Sequence, residues 1–435
     1  MKSLNVAVIG SGSTYTPELV EGFILHGKSL PLKSFRFMDI DAKKNASLAA
    51  FARRMLKHAG LDVSVLETDN LEEAVNGADY VLAQIRVGGL SARIRDEKIP
   101  LKYGLIGQET VGAGGFMNAL RTIPEMMKVA SAMERFAPEA WLVNFSNPSG
   151  IVAEALQNHT NVKSLGLCNI PITMAKEAQR LFENEAADCD FIGLNHLVWM
   201  TGVFLGGKNV LPDMLEGGLT FGGMKNVPDM GFEPELLRLA GGVPCSYFNY
   251  YYYPERMLHK CLSAERTRGE EVSLLEQELL NRYQSPALEE KPEELEKRGG
   301  AYYSYAAVSL VDALENDRRA VHVVNVKSGG TTGFLRPSDV VETRCLVGKN
   351  GAEPLSARTP PTPHVVSMMQ TLKSYERLTV EAALTGSYET ALSALMLNPL
   401  VGDYHKAKGA LDEMLLSNRA FLPQFEGYFL REEKR

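Results

Sequence analysis

Residues 5–10 (NVAVIG), followed at once by Ser11-Gly12-Ser13-Thr14-Tyr15-Thr16-Pro17-Glu18, constrain this chain more than any other segment. A short apolar run ending in glycine predicts a strand and a tight turn. Thr16, Pro17 and Glu18 then supply an N-cap, a first helical position and a first-turn acid. Strand, glycine turn and helix in that order present backbone amides at a helix N-terminus, a ready place for a pyrophosphate. Gly10, Gly12, Ser13 and Thr14 are therefore candidate dinucleotide contacts. The third glycine of the usual fingerprint is missing, with Tyr15 in its place, so the turn alone is equally compatible with an ordinary loop.

The alternation continues. Residues 35–40 (FRFMDI) predict a second strand, and Leu48, Phe51, Ala52, Met55, Leu56 and Ala59 recur at helical spacing before Gly60. Apolar runs at 63–66, 80–85, 141–145 and 164–167 are separated by helical stretches such as 124–136 and 151–158. Such alternation predicts a parallel, doubly wound sheet. Beyond about residue 170 helical patterns dominate (172–185, 273–283, 365–385, 388–397, 404–421), with strand candidates at 198–204, 321–326 and 340–346. The expected architecture is α/β: a Rossmann-type NAD-binding domain over residues 1–170 and an α+β domain over 171–435. Linker-like stretches occur at 217–224, rich in glycine, and 358–364, rich in proline.

With 435 residues, 45% of them hydrophobic, the chain can build two or three ordinary cores. A formal charge of −7 leaves no basic excess for nucleic acid or an anionic membrane. The five cysteines are odd in number and contain no CxxC, which predicts reduced thiols and a reducing compartment. With neither a basic leader nor an apolar run of membrane-spanning length, the expected location is the cytoplasm.

Asp39 ends the second strand, where a carboxylate binds a ribose 2′-hydroxyl and repels a 2′-phosphate, so NAD is expected over NADP. The competing reading of Asp39, with Asp41 two residues on, is a turn or capping acid. Ligands of open α/β sheets bind outside the carboxyl ends of the strands, and Gly10, Asp39, Arg86, Asn144, Asn147 and Cys168 fall there in succession. Cys168 and His196 each close an apolar, strand-like stretch (KSLGLC, FIGLNH), and a thiolate with an imidazole suits a divalent metal. Taken singly, a cysteine is more often a small buried apolar residue and a histidine more often a structural one. As a pair they leave coordination positions for substrate oxygens, the arrangement of a catalytic metal. Arg93 lies past the fourth strand, and the glycine-rich 107–115 beyond it reads as a lid or substrate loop. The tyrosines of 247–253 read as core packing, with one of them available as a base if it lies near the metal.

Together these residues resemble the NAD- and metal-dependent glycoside hydrolases of family 4, in particular their 6-phospho-β-glucosidase members. The resemblance covers essentially the whole chain through GSGSTYTPELVEGF, IPLKYGLIGQET, NFSNPSG, GLCNIP, GLNH and EKRGGAYYS. It implies a lactate/malate dehydrogenase-like fold and a departure from the two-carboxylate glycosidase scheme. The implied reaction is oxidation at C3 of a 6-phosphosugar by NAD⁺, deprotonation at C2, elimination, water addition and return of the hydride, with Mn²⁺ as the expected metal. By motif, Cys168 and His196 match metal ligands, Arg93 and Asn147 match substrate contacts, Tyr247 matches the C2 base, and Arg268 matches a further substrate arginine at the phosphate. Members cleaving α-linked phosphosugars carry aspartate after the metal cysteine; Asn169 stands here and cannot donate a proton as a general acid, which implies β-specificity. The implied partner is a phosphorylated disaccharide or β-glucoside, acted on by a homo-oligomer.

Two other readings share parts of this evidence. An NAD-dependent 2-hydroxy-acid dehydrogenase would share fold and cofactor but accumulate NADH. A non-catalytic NAD-sensing regulator would need neither the metal pair nor a base.

Overall fold

The computed structural model describes residues 2–183, 186–216, 231–298 and 303–434. The glycine-rich stretch 217–224 and residues 299–302 of the EKRGGAYYS motif lie outside the described residues.

Six strands, β1 (Leu4–Ile9), β2 (Leu32–Met38), β3 (Ser64–Thr68), β4 (Tyr80–Ala83), β5 (Trp141–Asn144) and β6 (Lys163–Gly166), pair in parallel in the order 3-2-1-4-5-6. This is the doubly wound dinucleotide-binding order. The central strands β1, β4 and β5 are largely apolar because both sheet faces are covered there, whereas β2 and β3 towards the edge carry charged residues. In β1, Leu4, Val6 and Val8 enter one core while Ala7 and Ile9 enter the other, and β4 divides its four buried residues the same way. The period of two thus sorts each strand between two helical layers. Helices Thr16–Leu25, Ala42–His58 and Tyr303–Glu315 pack in one core, Gly112–Phe136 and Pro363–Thr385 in the other.

A hairpin of β7 (Asp188–Leu194) and β8 (Leu197–Leu205), with the short β9 (Lys208–Asn209) and β10 (Val243–Pro244), forms a second sheet. Strands β11 (Ala320–Lys327), β12 (Val340–Gly348) and β13 (Gly351–Pro354) return to the first sheet and extend it antiparallel beyond β6, giving nine strands among the described residues.

The glycine-rich 107–115, read from its composition as a lid or substrate loop, is closely packed and brings Glu109 to the cleft. The helix begins at Gly112, well before the expected 124, and Gly114 and Gly115 are buried in its first turn. An added Cβ would stand 2.2 Å from the Gln108 carbonyl oxygen at Gly114 and 2.3 Å from the Thr110 carbonyl carbon at Gly115. These glycines serve close packing of helix against loop, not opening. The proline-rich 358–364 is likewise anchored: the Arg358 amide donates to Asp190 at 2.6 Å and its guanidinium lies 3.6 Å from the Phe204 ring centre.

Candidate active site

A cleft of about 530 Å³ runs along the carboxyl ends of the parallel strands. Gly10, Gly12, Ser13 and Asp39 line it, as do Arg86, Arg93, Glu109, Asn147, Asn169, His196, Tyr247 and Arg298.

The dinucleotide-type turn is held by its own backbone. Gly10 has φ +86°, and a Cβ there would meet the Gln84 carbonyl oxygen at 2.9 Å. The amides of Gly10 and Ser11 donate to the Met38 carbonyl at 2.8 and 3.1 Å, tying the turn to β2. Gly12 donates to Asp39 Oδ2 at 2.8 Å, and Asp39 Oδ1 accepts the Asp41 amide at 2.8 Å. Burial pushes the Asp39 carboxyl above its ordinary value, against these two amides. Tyr15, not Thr16, caps the helix Thr16–Leu25, without a side-chain cap bond. The Thr16 hydroxyl instead donates to the Ser11 carbonyl at 2.7 Å, which fastens helix to turn. Thr14 is fully buried and does not reach the cleft wall; its carbonyl accepts the Tyr283 hydroxyl at 3.0 Å.

Cys168 lies two residues beyond β6, just before the helix Ile170–Leu181, and is buried. His196 occupies the two-residue turn between β7 and β8 in the left-handed conformation, φ +62°. A non-glycine residue held there by its surroundings is a mark of functional sites. The neighbouring Asn195 accepts the Gly150 amide at 3.2 Å, donates to Glu342 at 3.2 Å and hydrogen-bonds Cys168. Tyr247, at the start of the short helix Phe248–Tyr252, stacks on His196 with ring centres 4.4 Å apart, hydrogen-bonds Thr110 and feels the charge of Cys168. Of the tyrosines 247–253, only Tyr247 lines the cleft.

Burial sets the protonation states. It lowers His196 to about 4, against the pull of Glu109, so the imidazole is neutral near neutral pH with a lone pair to offer. It raises the Cys168 thiol well above its ordinary value, with Glu342 adding to the effect; a bound cation reverses that by displacing the proton. It also raises the Tyr247 phenol, with Thr110 acting the other way. No cluster of three or more His, Cys, Asp or Glu able to hold a metal occurs among the described residues. A thiol and a neutral imidazole, as Cys168 and His196 offer, are donors whose chemistry suits a divalent metal. Asn147 Oδ1, buried without a partner in a residue lining the cleft, adds an oxygen donor on the protein side.

Arg93 is buried and binds Glu97 at 2.8 Å and Glu109 at 2.9 Å; Arg86 pairs with the other oxygen of Glu109. Although burial pushes Glu109 up, the two guanidinium groups bring it down to about 2. Glu109 had no sequence signal beyond its place in a glycine-rich stretch. Arg298, also not singled out by sequence, lines the cleft, whereas Arg268 does not. Arg268 opens the helix Arg268–Tyr283, pairs with Glu271 at 2.9 Å and donates to the carbonyls of Lys297 and Arg298, each at 3.2 Å.

The sheet order and the cleft define a protein of the dehydrogenase-like, dinucleotide-fold class. Residues 5–183 match the family 4 glycosyl hydrolases and residues 191–401 match the C-terminal domain of the same family. The chain belongs to the family 4 glycosyl hydrolases and is a glycosidase. It is 41% identical to a probable 6-phospho-beta-glucosidase of Bacillus subtilis (strain 168), over 98% of each chain. The 6-phospho-beta glucosidase of Thermotoga maritima, solved with manganese, NAD⁺ and glucose-6-phosphate, is 36% identical with a TM-score of 0.88, covering 96% of this chain and 99% of that one. Malate dehydrogenase from Plasmodium falciparum, 12% identical, covers 87% of this chain and 98% of its own with a TM-score of 0.53, which shows the shared fold alone.

Proposed function

We propose that this glycosidase hydrolyses 6-phospho-β-glucosides to glucose 6-phosphate and an alcohol or sugar, with NAD and a divalent metal, Mn²⁺, as resident groups. The observation that carries the reading is the convergence of Cys168, His196 and Tyr247 beside a cleft that also takes in the Gly10–Asp39 turn. When bound, NAD supplies reversible hydride transfer at C3 and the metal supplies Lewis-acid polarisation of the sugar's C2 and C3 oxygens.

The chain's residues do the rest. Tyr247 takes the C2 proton on its phenol oxygen. Its burial keeps the phenol neutral at rest, and Arg93 favours the phenolate as the proton leaves. Cys168 and His196 hold the metal, and Asn147 Oδ1 receives a sugar hydroxyl or completes the metal's shell. Arg93, fixed by Glu97 and Glu109, and Arg268 are the remaining substrate contacts carried over from the family. Arg268 Nη2 also holds the carbonyls of Lys297 and Arg298. Asn169, buried on the cleft wall, offers an amide where an acid would be needed to protonate an α-linked leaving group.

Residues 1–170 then serve as the NAD-binding part and also bring Arg93, Asn147 and Cys168 to the site, and residues 171–435 supply His196, Tyr247 and the oligomer contacts. The working form is a cytoplasmic homo-oligomer without nucleic-acid or membrane partners. No helix among the described residues is long and apolar enough to cross a membrane. The test is hydrolysis of p-nitrophenyl 6-phospho-β-D-glucoside against its α and non-phosphorylated analogues, with NAD⁺ and Mn²⁺ present or omitted. Turnover of the phosphorylated β-substrate only with both added is the expected result. Equal turnover without NAD⁺, or preference for the α-analogue, overturns the reading.

A further inference from the structure

We infer that Arg298 pairs with the pyrophosphate of the bound dinucleotide and so replaces donors that this glycine turn does not have free. The inference rests on the NAD reading of the cleft.

Apart from that of Thr14, the amides of the turn are engaged close by. Gly10 and Ser11 donate to the Met38 carbonyl, Gly12 to Asp39, Ser13 to the Gly10 carbonyl at 3.1 Å, Tyr15 to Ser13 Oγ at 3.3 Å and Thr16 to the Ser13 carbonyl at 3.0 Å. Pro17 has no amide hydrogen. The third glycine, which would let helix and strand close up, is Tyr15. A helix N-terminus with these donors engaged is a weak anion site, and two phosphates arriving there need a cation.

Arg298 stands at that place. Its Nη1 lies 3.4 Å from Ser13 Oγ, its guanidinium carbon lies 4.8 Å from the centre of the Tyr15 ring, and it lines the cleft. Among the described residues no carboxylate comes within ion-pair distance of it. Glu276, the lining carboxylate whose charge acts on it, is already paired with Lys44 at 2.7 Å. The guanidinium thus keeps a planar fork of donors turned to the cleft, the geometry that binds phosphate oxygens two at a time. The ring of Tyr15 gives it a flat support, which explains what an aromatic residue does where glycine is usual. Arg268 holds the backbone that presents it, through the Lys297 and Arg298 carbonyls.

A sugar 6-phosphate is the other anion that could meet this guanidinium. Contact with Ser13 and Tyr15, inside the glycine turn, assigns Arg298 to the cofactor.

Calorimetric titration of the full chain with NAD⁺, with phosphate-free adenosine and with glucose 6-phosphate tests this in wild type, Arg298→Gln and Arg298→Lys. Arg298→Gln is expected to weaken NAD⁺ about tenfold or more, the scale of one charge-assisted phosphate contact, with Arg298→Lys recovering part of the loss. Adenosine and glucose 6-phosphate should stay within about twofold of wild type, since neither uses the contact. If wild type fails to bind NAD⁺, the cofactor reading itself falls. If wild type binds NAD⁺ and Arg298→Gln binds it equally, or loses glucose 6-phosphate instead, the assignment of Arg298 is overturned.

Discussion

The imidazole of His196 lies flat against the phenol of Tyr247, with ring centres 4.4 Å apart and planes 15° apart. One residue comes from a hairpin turn and the other from the start of a short helix about fifty positions later in the chain. Offset aromatic pairs of this kind contribute about 0.5–1.5 kcal/mol beyond area burial. The larger consequence is geometric. A metal ligand and a base that share a stacking face keep their spacing whatever the substrate does, which is what proton abstraction next to a metal-bound oxygen requires.

Tyr247→Phe keeps that stack and removes only the phenol oxygen. The kcat on a 6-phospho-β-glucoside should fall about 10²–10⁴-fold with KM little changed, as for loss of a general base. Turnover of wild type in D₂O should place deuterium at C2 of the product, and the variant should lose that label in proportion to rate. An unlabelled wild-type product sinks the elimination route.

Removing a metal ligand should be visible without turnover. Cys168→Ser should bind Mn²⁺, measured by equilibrium dialysis, at least about 10–100-fold more weakly, since even an outer-shell partner is worth that much. Wild type should lose activity to chelator, regain it with Mn²⁺ and need a thiol reductant. Full activity of Cys168→Ser in excess EDTA would remove Cys168 from the site.

Glu109 is a structural charge held by Arg86 and Arg93, and Glu109→Gln leaves both arginines without it. The cost should be about 3–5 kcal/mol, as for breaking a buried ion pair from one side, read from urea unfolding near pH 7. Its folded pKa of about 2 lies below the ordinary carboxylate value of 4.5, so the stabilisation is complete above pH 4.5 and is lost as pH falls from there towards 2. The gap between wild type and variant should therefore close over that window. A gap that is absent at pH 7, or unchanged at pH 3, contradicts the clamp.

Asn169→Asp places a titratable group on the cleft wall where an amide now stands. The ratio of α- to β-analogue hydrolysis should rise, and the rise should follow protonation of the new carboxyl, fading as pH increases. A ratio that stays flat with pH would mean that Asn169 has no part in the choice of anomer.

Much of the scaffold was legible in the sequence because its signals are local. A period of two against a period of 3.6, with glycine and proline as punctuation, placed β1, β3, β4, β5 and β6 within two residues of where they form and β2 within three. The helix starting at Gly112 was misplaced because composition alone cannot tell a glycine needed for motion from one needed for contact. Gly114 and Gly115 are the second kind. Of the site candidates, Gly10, Gly12, Ser13, Asp39, Arg93, Asn147, His196 and Tyr247 line the cleft. Cys168 lies buried close to Tyr247, while Thr14 and Arg268 face elsewhere.

By itself, the sequence determined the order of the elements, the glycine turn and the row of polar residues at the strand ends, since each depends on neighbours a few residues apart. Only the tertiary structure decided that Tyr247 alone of its cluster meets His196, that Glu109 closes on Arg86 and Arg93, and that Arg298 reaches Ser13. Those pairs lie 16 to 285 positions apart in the chain. They meet through packing of whole layers and desolvation of the charges brought together, and no local period records either.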